Sequence, residues 1–145
     1  MRMTEPRTRG WRGGEREDPA IQAVRARLHG RTDVRIALVF GSRATGMATT
    51  TSDVDVAVAA HGVDFLALTV DLSRATGLDV DVVDLDAAGV PLLARILRDG
   101  IVVHEAVLGA AASWRSHAWA DLETDRPWFA RMRDAWLEHV ATHGI

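Results

Sequence analysis

The most constraining feature of this sequence is a short segment in which aspartate and small apolar residues alternate, Asp53-Val54-Asp55-Val56-Ala57-Val58. Successive side chains of a β-strand point to opposite faces of its sheet. The two aspartates would therefore share one face, and the three valines would share the other and face a core. The alternation predicts a strand over residues 53–60 that carries two carboxylates on one side.

Patterns elsewhere predict a chain that mixes strands and helices. Runs rich in Val, Ile and Leu predict further strands over residues 34–40, 78–85 and 101–104. Apolar residues at helical spacing predict helices over residues 20–28, 63–75 and 91–97, the first of them starting at Asp18-Pro19. This order predicts an α/β (α+β) domain, with a small mixed sheet flanked by helices and C-terminal helices packed on it.

The C-terminal region is expected to be helical from Ala110 onward, with a break near Asp125-Arg126-Pro127. Its expected apolar face consists of Trp114, Trp119, Trp128, Phe129, Met132 and Trp136. These aromatic residues predict either a helical cap on the core or a face that binds another protein, because Trp and Arg are enriched at binding hot spots.

Length and composition limit the remaining possibilities. A chain of 145 residues predicts one domain, which we place at residues 18–145, after a flexible Arg-rich arm at residues 1–17. A net charge of −3 argues against stable nucleic-acid binding. No apolar run approaches the roughly 18–20 residues that span a bilayer, so no membrane association is expected. The absence of cysteine excludes disulfides and fits a cytoplasmic location.

A small turn at the end of the first predicted strand suits phosphate binding. Gly41 would let the backbone approach a phosphate group closely. The Ser42 hydroxyl and neighbouring N–H groups could donate to phosphate oxygens. Arg43 could neutralise triphosphate charge, because its guanidinium matches phosphate geometry. We therefore predict that Gly41, Ser42 and Arg43 bind the phosphates of a nucleotide.

The predicted carboxylates suit a divalent cation. Asp53 and Asp55 would repel each other on one strand face unless a cation neutralised them, and Mg²⁺ prefers such hard oxygen ligands. If the strand at residues 78–85 lies beside them, Asp81 can act as a third ligand or accept a proton from an attacking hydroxyl. Solvated Asp-Val strands and Gly-Ser turns are each common. Their combination in this order favours metal-dependent phosphoryl or nucleotidyl transfer.

The spacing of these residues resembles a known signature. Gly41-Ser42, ten intervening residues and then Asp53-Val54-Asp55 are similar to the motif of the DNA polymerase β-like nucleotidyltransferase superfamily. The segments at residues 82–85 and 91–105 further resemble the MNT antitoxins of HEPN/MNT toxin–antitoxin pairs. The resemblance covers about residues 19–138 of the sequence.

The resemblance implies a specific reaction and site. Asp53, Asp55 and Asp81 would bind two Mg²⁺ ions, and Gly41 and Ser42 would hold the phosphates of ATP. AMP would pass from ATP to a tyrosine hydroxyl of a partner HEPN ribonuclease toxin and so neutralise it. This chain contains no tyrosine, so a tyrosine acceptor would have to lie in another protein, although Ser and Thr remain possible acceptors.

Two alternatives remain open at the level of sequence. One is a nucleotidyltransferase acting on a small molecule such as an aminoglycoside, a class that usually carries an additional substrate-binding region. The other is an antitoxin that neutralises its toxin by stoichiometric binding without catalysis. Intact carboxylates at positions 53, 55 and 81 argue against an inactive enzyme but do not separate catalysis from binding.

Overall fold

The structure, a computed structural model, describes residues 17–143 without the side chains of residues 125–129, 132 and 143. The predicted arm at residues 1–17 lies outside this range except for Glu17. The strands are β1 (Val34–Phe40), β2 (Val54–Ala60), β3 (Val80–Asp84) and β4 (Ile101–Glu105). The helices are α1 (Pro19–Leu28), α2 (Ser42–Thr45), α3 (Phe65–Thr76), α4 (Val90–Asp99) and α5 (Ala110–His143), and a 3-10 turn follows β3 at Leu85–Ala87.

The four strands form one mixed sheet in the order β3-β2-β1-β4. β1 runs antiparallel to both β2 and β4, whereas β2 and β3 are parallel. A parallel pair needs a crossover connection, and α3 supplies it. The predicted mixed sheet flanked by helices is confirmed.

One face of the sheet packs against α1 and α3. Val54, Val56 and Val58 are completely buried there, as the alternation predicts. Both helices begin at an aspartate cap, since Asp18 accepts a hydrogen bond from Ala20 N–H at 2.8 Å and Asp64 caps α3 in the same way. Burying each valine stabilises the fold by about 1.5–3 kcal/mol, so this face carries much of the core.

The other face packs against α4 and the first part of α5. Its central residues are small or aliphatic, including Leu38, Ala57 and Ala59, and they contact Ile96 of α4. The cover ends near Phe40 and Asp55, because Asp55 is only half-buried while Asp53 and Asp81 are exposed. The carboxylates therefore lie where this face of the sheet loses its helical cover.

The C-terminal helix differs from its prediction in two respects. The expected break at Asp125-Arg126-Pro127 is wrong, because α5 is one helix of 34 residues. Proline removes one backbone donor, and the helix formers on both sides keep the remaining turns together. Although α5 is long, neither it nor any other helix within residues 17–143 is apolar enough to cross a membrane.

The predicted apolar face of α5 is only partly packed. Trp114 packs between the sheet and α4, and Ala118 and Leu122 pack nearby. Trp119 and Trp136 are 46% and 58% exposed, so they do not belong to the core. The other predicted members, Trp128, Phe129 and Met132, lie outside the described side chains. Among the described side chains of α5 beyond Leu122, Trp136 and Leu137 are exposed and do not cap the sheet.

Candidate active site

Strand pairing brings the predicted carboxylates together at one end of the sheet, where β2 and β3 begin and β1 ends. In the parallel register Asp55 is the direct partner of Asp81, on strands about 4.8 Å apart. Asp53 lies two residues before Asp55 and, by the alternation of the strand, on the same face. The condition on which the prediction for Asp81 rested is met, because β3 lies beside β2 and Asp81 is opposite Asp55.

Asp55 occupies an environment that disfavours its charged form. Partial burial is the main cause of its raised pKa, and the nearby charges of Asp81 and Asp53 act in the same direction. Arg95 opposes this rise. Within residues 17–143, however, no three His, Asp or Glu side chains already enclose a cation position. The observed geometry is therefore a pair of facing carboxylates, Asp55 and Asp81, with Asp53 nearby, and not a preformed three-ligand site.

The turn after β1 lies directly against this carboxylate pair. Phe40, the last residue of β1, pairs with Asp55 across the antiparallel ladder. Gly41 has φ +75°, and a Cβ at this position would collide with the Oδ2 atom of Asp55. Only glycine fits both the conformation and the space. Ser42 follows as the first residue of the single-turn helix α2, so Gly41 and Ser42 lie at the same edge as the aspartates.

The structure gives Arg43 contacts different from the predicted phosphate contact. Its side chain is buried, with 7% exposed, and points to the protein interior. Nη1 donates to both carboxylate oxygens of Asp18 at 3.1 and 3.2 Å. Nε and Nη2 donate to the carbonyl of Ser52, and Nη2 also to the carbonyls of Thr49 and Thr50. Arg43 thus ties the loop at residues 49–52 to the start of α1.

This arrangement explains how the loop before β2 keeps a defined path. The loop consists of polar residues without regular structure, and one guanidinium satisfies three of its carbonyl groups. Because Ser52 immediately precedes Asp53, the same contacts fix the point at which the first carboxylate leaves the loop. Arg43 therefore positions the loop that leads into Asp53, from the interior side of that loop.

A residue that the sequence did not single out lies beside the site. The guanidinium carbon of Arg95 on α4 is 5.8 Å from the centre of the Phe40 ring. Arg95 lies at the margin of the apolar stripe of its helix, next to Ile96, and remains exposed. From the sequence alone this position gives little indication of a functional residue, because the contact with Phe40 depends on how α4 packs on the sheet.

Comparison with known families identifies the class of protein to which this fold and its paired carboxylates belong. The family model described as "Polymerase beta, Nucleotidyltransferase" matches residues 22–106, more than half of the chain. The matched region contains the Gly-Ser turn and all three aspartates. The chain belongs to this family and is a nucleotidyltransferase, as its signature predicts.

Solved structures with a similar fold come from toxin–antitoxin complexes. A chain of a toxin–antitoxin complex with AMP-PNP superposes with a TM-score of 0.67 at 21% identity, covering 83% of this chain and 98% of that one. For a chain of the MntA–HepT complex the TM-score is 0.61 at 20% identity, with 84% and 97% covered.

A third similar structure holds a tri-AMPylated HEPN toxin of Shewanella oneidensis in complex with an MNT antitoxin. Its matching chain has a TM-score of 0.56 at 22% identity, with 83% of this chain and 95% of that one covered. Among curated proteins, no sequence matches this chain. At these identities the solved structures establish the shared fold.

Proposed function

We propose that this nucleotidyltransferase is an MNT antitoxin that transfers AMP from ATP to a tyrosine hydroxyl of a partner HEPN toxin. The observation that carries the nucleotidyl-transfer chemistry is the pairing of Asp55 with Asp81, with the backbone of Gly41 against Asp55. The choice of AMP and of a HEPN acceptor is supported by the similar structures, one with AMP-PNP and another with an AMPylated HEPN toxin.

The three aspartates would hold the metal of this reaction. Their hard oxygen donors and mutual repulsion fit Mg²⁺, and the exposed edge leaves room for a nucleotide to complete the coordination. When bound, Mg²⁺ neutralises phosphate charge and makes a hydroxyl group easier to deprotonate. The prediction of two ions belongs to the same proposal: one would activate the acceptor hydroxyl and the other would stabilise the leaving pyrophosphate.

The residues of this chain would supply the rest of the chemistry. The backbone at Gly41 and the hydroxyl of Ser42 bind the triphosphate, since this turn lies beside the carboxylates and is open to solvent. Asp81 is exposed on the edge strand, where its carboxylate can accept the proton of the acceptor hydroxyl. The acceptor oxygen then forms a bond to the α-phosphorus, the bond to the pyrophosphate oxygen breaks, and pyrophosphate leaves.

The acceptor would come from outside the chain. These 145 residues contain no tyrosine, so this chain offers none as an acceptor. The carboxylates lie on an exposed edge of the sheet, which a protein side chain can approach from solvent. Both features are consistent with a partner protein as acceptor, and we expect the reaction to take place in the cytoplasm.

Intact-mass spectrometry tests this proposal directly. The product of the adjacent gene is incubated with this chain, ATP and MgCl₂. We expect the partner to gain whole AMP units, and fragmentation to place them on tyrosine. Asp53→Ala should abolish the gain, because it removes a carboxylate of the site. Asp33→Ala is the matched control, because Asp33 is an exposed aspartate at the opposite end of β1.

Each negative result has a distinct meaning. An unchanged mass with a stable complex would overturn catalysis and indicate neutralisation by binding. An unchanged mass without a complex would overturn the protein acceptor and leave small molecules such as aminoglycosides to be tested. A mass gain on serine or threonine would retain the transferase and correct the acceptor.

A further inference from the structure

The site needs a positive charge that the Gly-Ser turn does not provide. A nucleoside triphosphate brings several negative charges to an edge that already contains Asp53, Asp55 and Asp81. The guanidinium of Arg43 is buried and its donors point to Asp18 and to loop carbonyls. Moving it to a phosphate would break several part-buried hydrogen bonds at once, which is costly. Mg²⁺ would offset part of the triphosphate charge, and a second arginine near the carboxylates could offset more of it.

Most arginines of the described chain are already engaged with carboxylates. Ion pairs between residues 17 and 143 involve Arg25, Arg27, Arg31, Arg35, Arg43, Arg98 and Arg133. Arg95 differs from these, because its described contact is with the ring of Phe40. A guanidinium over an aromatic ring is attracted to the ring face, and its N–H groups can still donate to an anion.

The position of Phe40 places this guanidinium at the catalytic edge. Phe40 and Asp55 are paired across the β1–β2 ladder, and paired residues lie on the same face of a sheet. Phe40 also immediately precedes Gly41 and Ser42. Arg95 therefore lies above the residue that connects the Gly-Ser turn to the carboxylate pair, and it is exposed to solvent on that side.

We propose that Arg95 is a nucleotide-binding residue that donates to phosphate oxygens of the bound nucleoside triphosphate, with the Phe40 ring holding its guanidinium in place. This inference rests on the nucleotidyl-transfer part of the proposed function and is independent of the acceptor. Arg95 thus takes the role that the sequence predicts for Arg43. Arg43 supports the loop from the interior, whereas Arg95 reaches the substrate from α4.

Isothermal titration calorimetry with AMP-PNP and MgCl₂ tests the role of Arg95. Arg95→Met keeps an unbranched apolar stem over Phe40 but removes the charge and the donors. We expect it to weaken AMP-PNP binding by about 10–100-fold, the effect of losing hydrogen bonds to a charged group. The matched control is Arg98→Met, on the same helix but paired with Asp99, which should change binding less than about twofold.

The possible outcomes distinguish failure of the role of Arg95 from failure of the proposed nucleotidyl transfer. Unchanged AMP-PNP affinity in Arg95→Met, with or without a lower melting temperature, would overturn a nucleotide contact and leave the transferase intact. Equal losses in Arg95→Met and Arg98→Met would show a general charge effect and also overturn it. If the wild-type protein failed to bind AMP-PNP, nucleotidyl transfer itself would be refuted. Arg95→Lys should recover part of the affinity, because charge returns without the planar fork.

Discussion

The two faces of β2 show how one strand can serve both stability and chemistry. On one face Val54, Val56 and Val58 are fully buried under α1 and α3. On the other, Ala57 and Ala59 are buried under α4 and α5, but Asp55 lies beyond this cover and is half-buried. The valine face is uniform along its length, whereas the carboxylate face changes character within one strand. The candidate site therefore lies where the helical cover of the sheet ends.

The largest expected effect is a difference in activity between variants at two adjacent residues of β2, Asp55 and Val56. Asp55→Ala should lower nucleotidyl transfer by about 10³-fold or more, because it removes a carboxylate of the site. Val56→Ala should instead lower the free energy of unfolding by about 2–3 kcal/mol, the cost of a core cavity, and leave the rate per folded molecule unchanged. Transfer assays and urea unfolding of both variants measure the contrast. A similar loss of activity in folded Val56→Ala would contradict it.

The next prediction concerns the turn that touches the carboxylate face. Gly41→Ala should reduce transfer by about 100-fold or more, because its Cβ would displace Asp55. Gly77→Ala is the control, because Gly77 also has a positive φ but has open space where a Cβ would lie. It should cost about 1 kcal/mol of stability and leave transfer intact. Equal activity of the two variants would exclude the steric explanation.

A stability effect should accompany loss of the Arg43 contacts. Arg43→Ala leaves Asp18 and three loop carbonyls without their shared donor and should cost about 2–4 kcal/mol. Arg25→Ala, which breaks an exposed pair with Glu17, should cost no more than about 1 kcal/mol. Thermal unfolding measures both. If the Arg43 variant is as stable as the Arg25 variant, the loop does not depend on this guanidinium.

The smallest effect is expected on the outer surface above the valine face. Arg27 of α1 pairs with Asp71 of α3, and this hydrogen-bonded contact lowers the pKa of Asp71. A lowered pKa in the folded state means that the stabilisation is present at neutral pH and is lost as pH falls below the ordinary aspartate range near about 3.9. Asp71→Asn should therefore destabilise the protein slightly at pH 7 and not at low pH. A difference that grows on acidification would reverse this sign.

Much of this architecture could be predicted because it depends on local patterns. The bounds of β1 and the buried side of β2 follow from runs and alternation that leave few other arrangements. The family also follows from local spacing, since Gly41-Ser42 and Asp53-Val54-Asp55 are close in sequence. The prediction for Asp81 needed one further condition, the adjacency of β3 and β2, which the parallel register meets.

The remaining features depend on how distant elements pack. The partner of Arg43 is Asp18, 25 residues away, so its inward orientation has no local signal. Arg95 matters only because α4 crosses Phe40, 55 positions earlier in the chain. The predicted break of α5 was wrong for the opposite reason, because a local signal at Pro127 was outweighed by the helical residues around it.

The location of Asp81 on an edge strand has a consequence for how the protein loses activity. β3 has a single neighbour in the sheet, and of its five residues only Val80 is buried. Strands with few buried contacts exchange their amide hydrogens through local opening, well before the whole domain unfolds. Warming would therefore detach Asp81 from Asp55 while β1, β2 and β4 remain paired. Inactivation should precede melting, and protection of the β3 amides should report the active fraction.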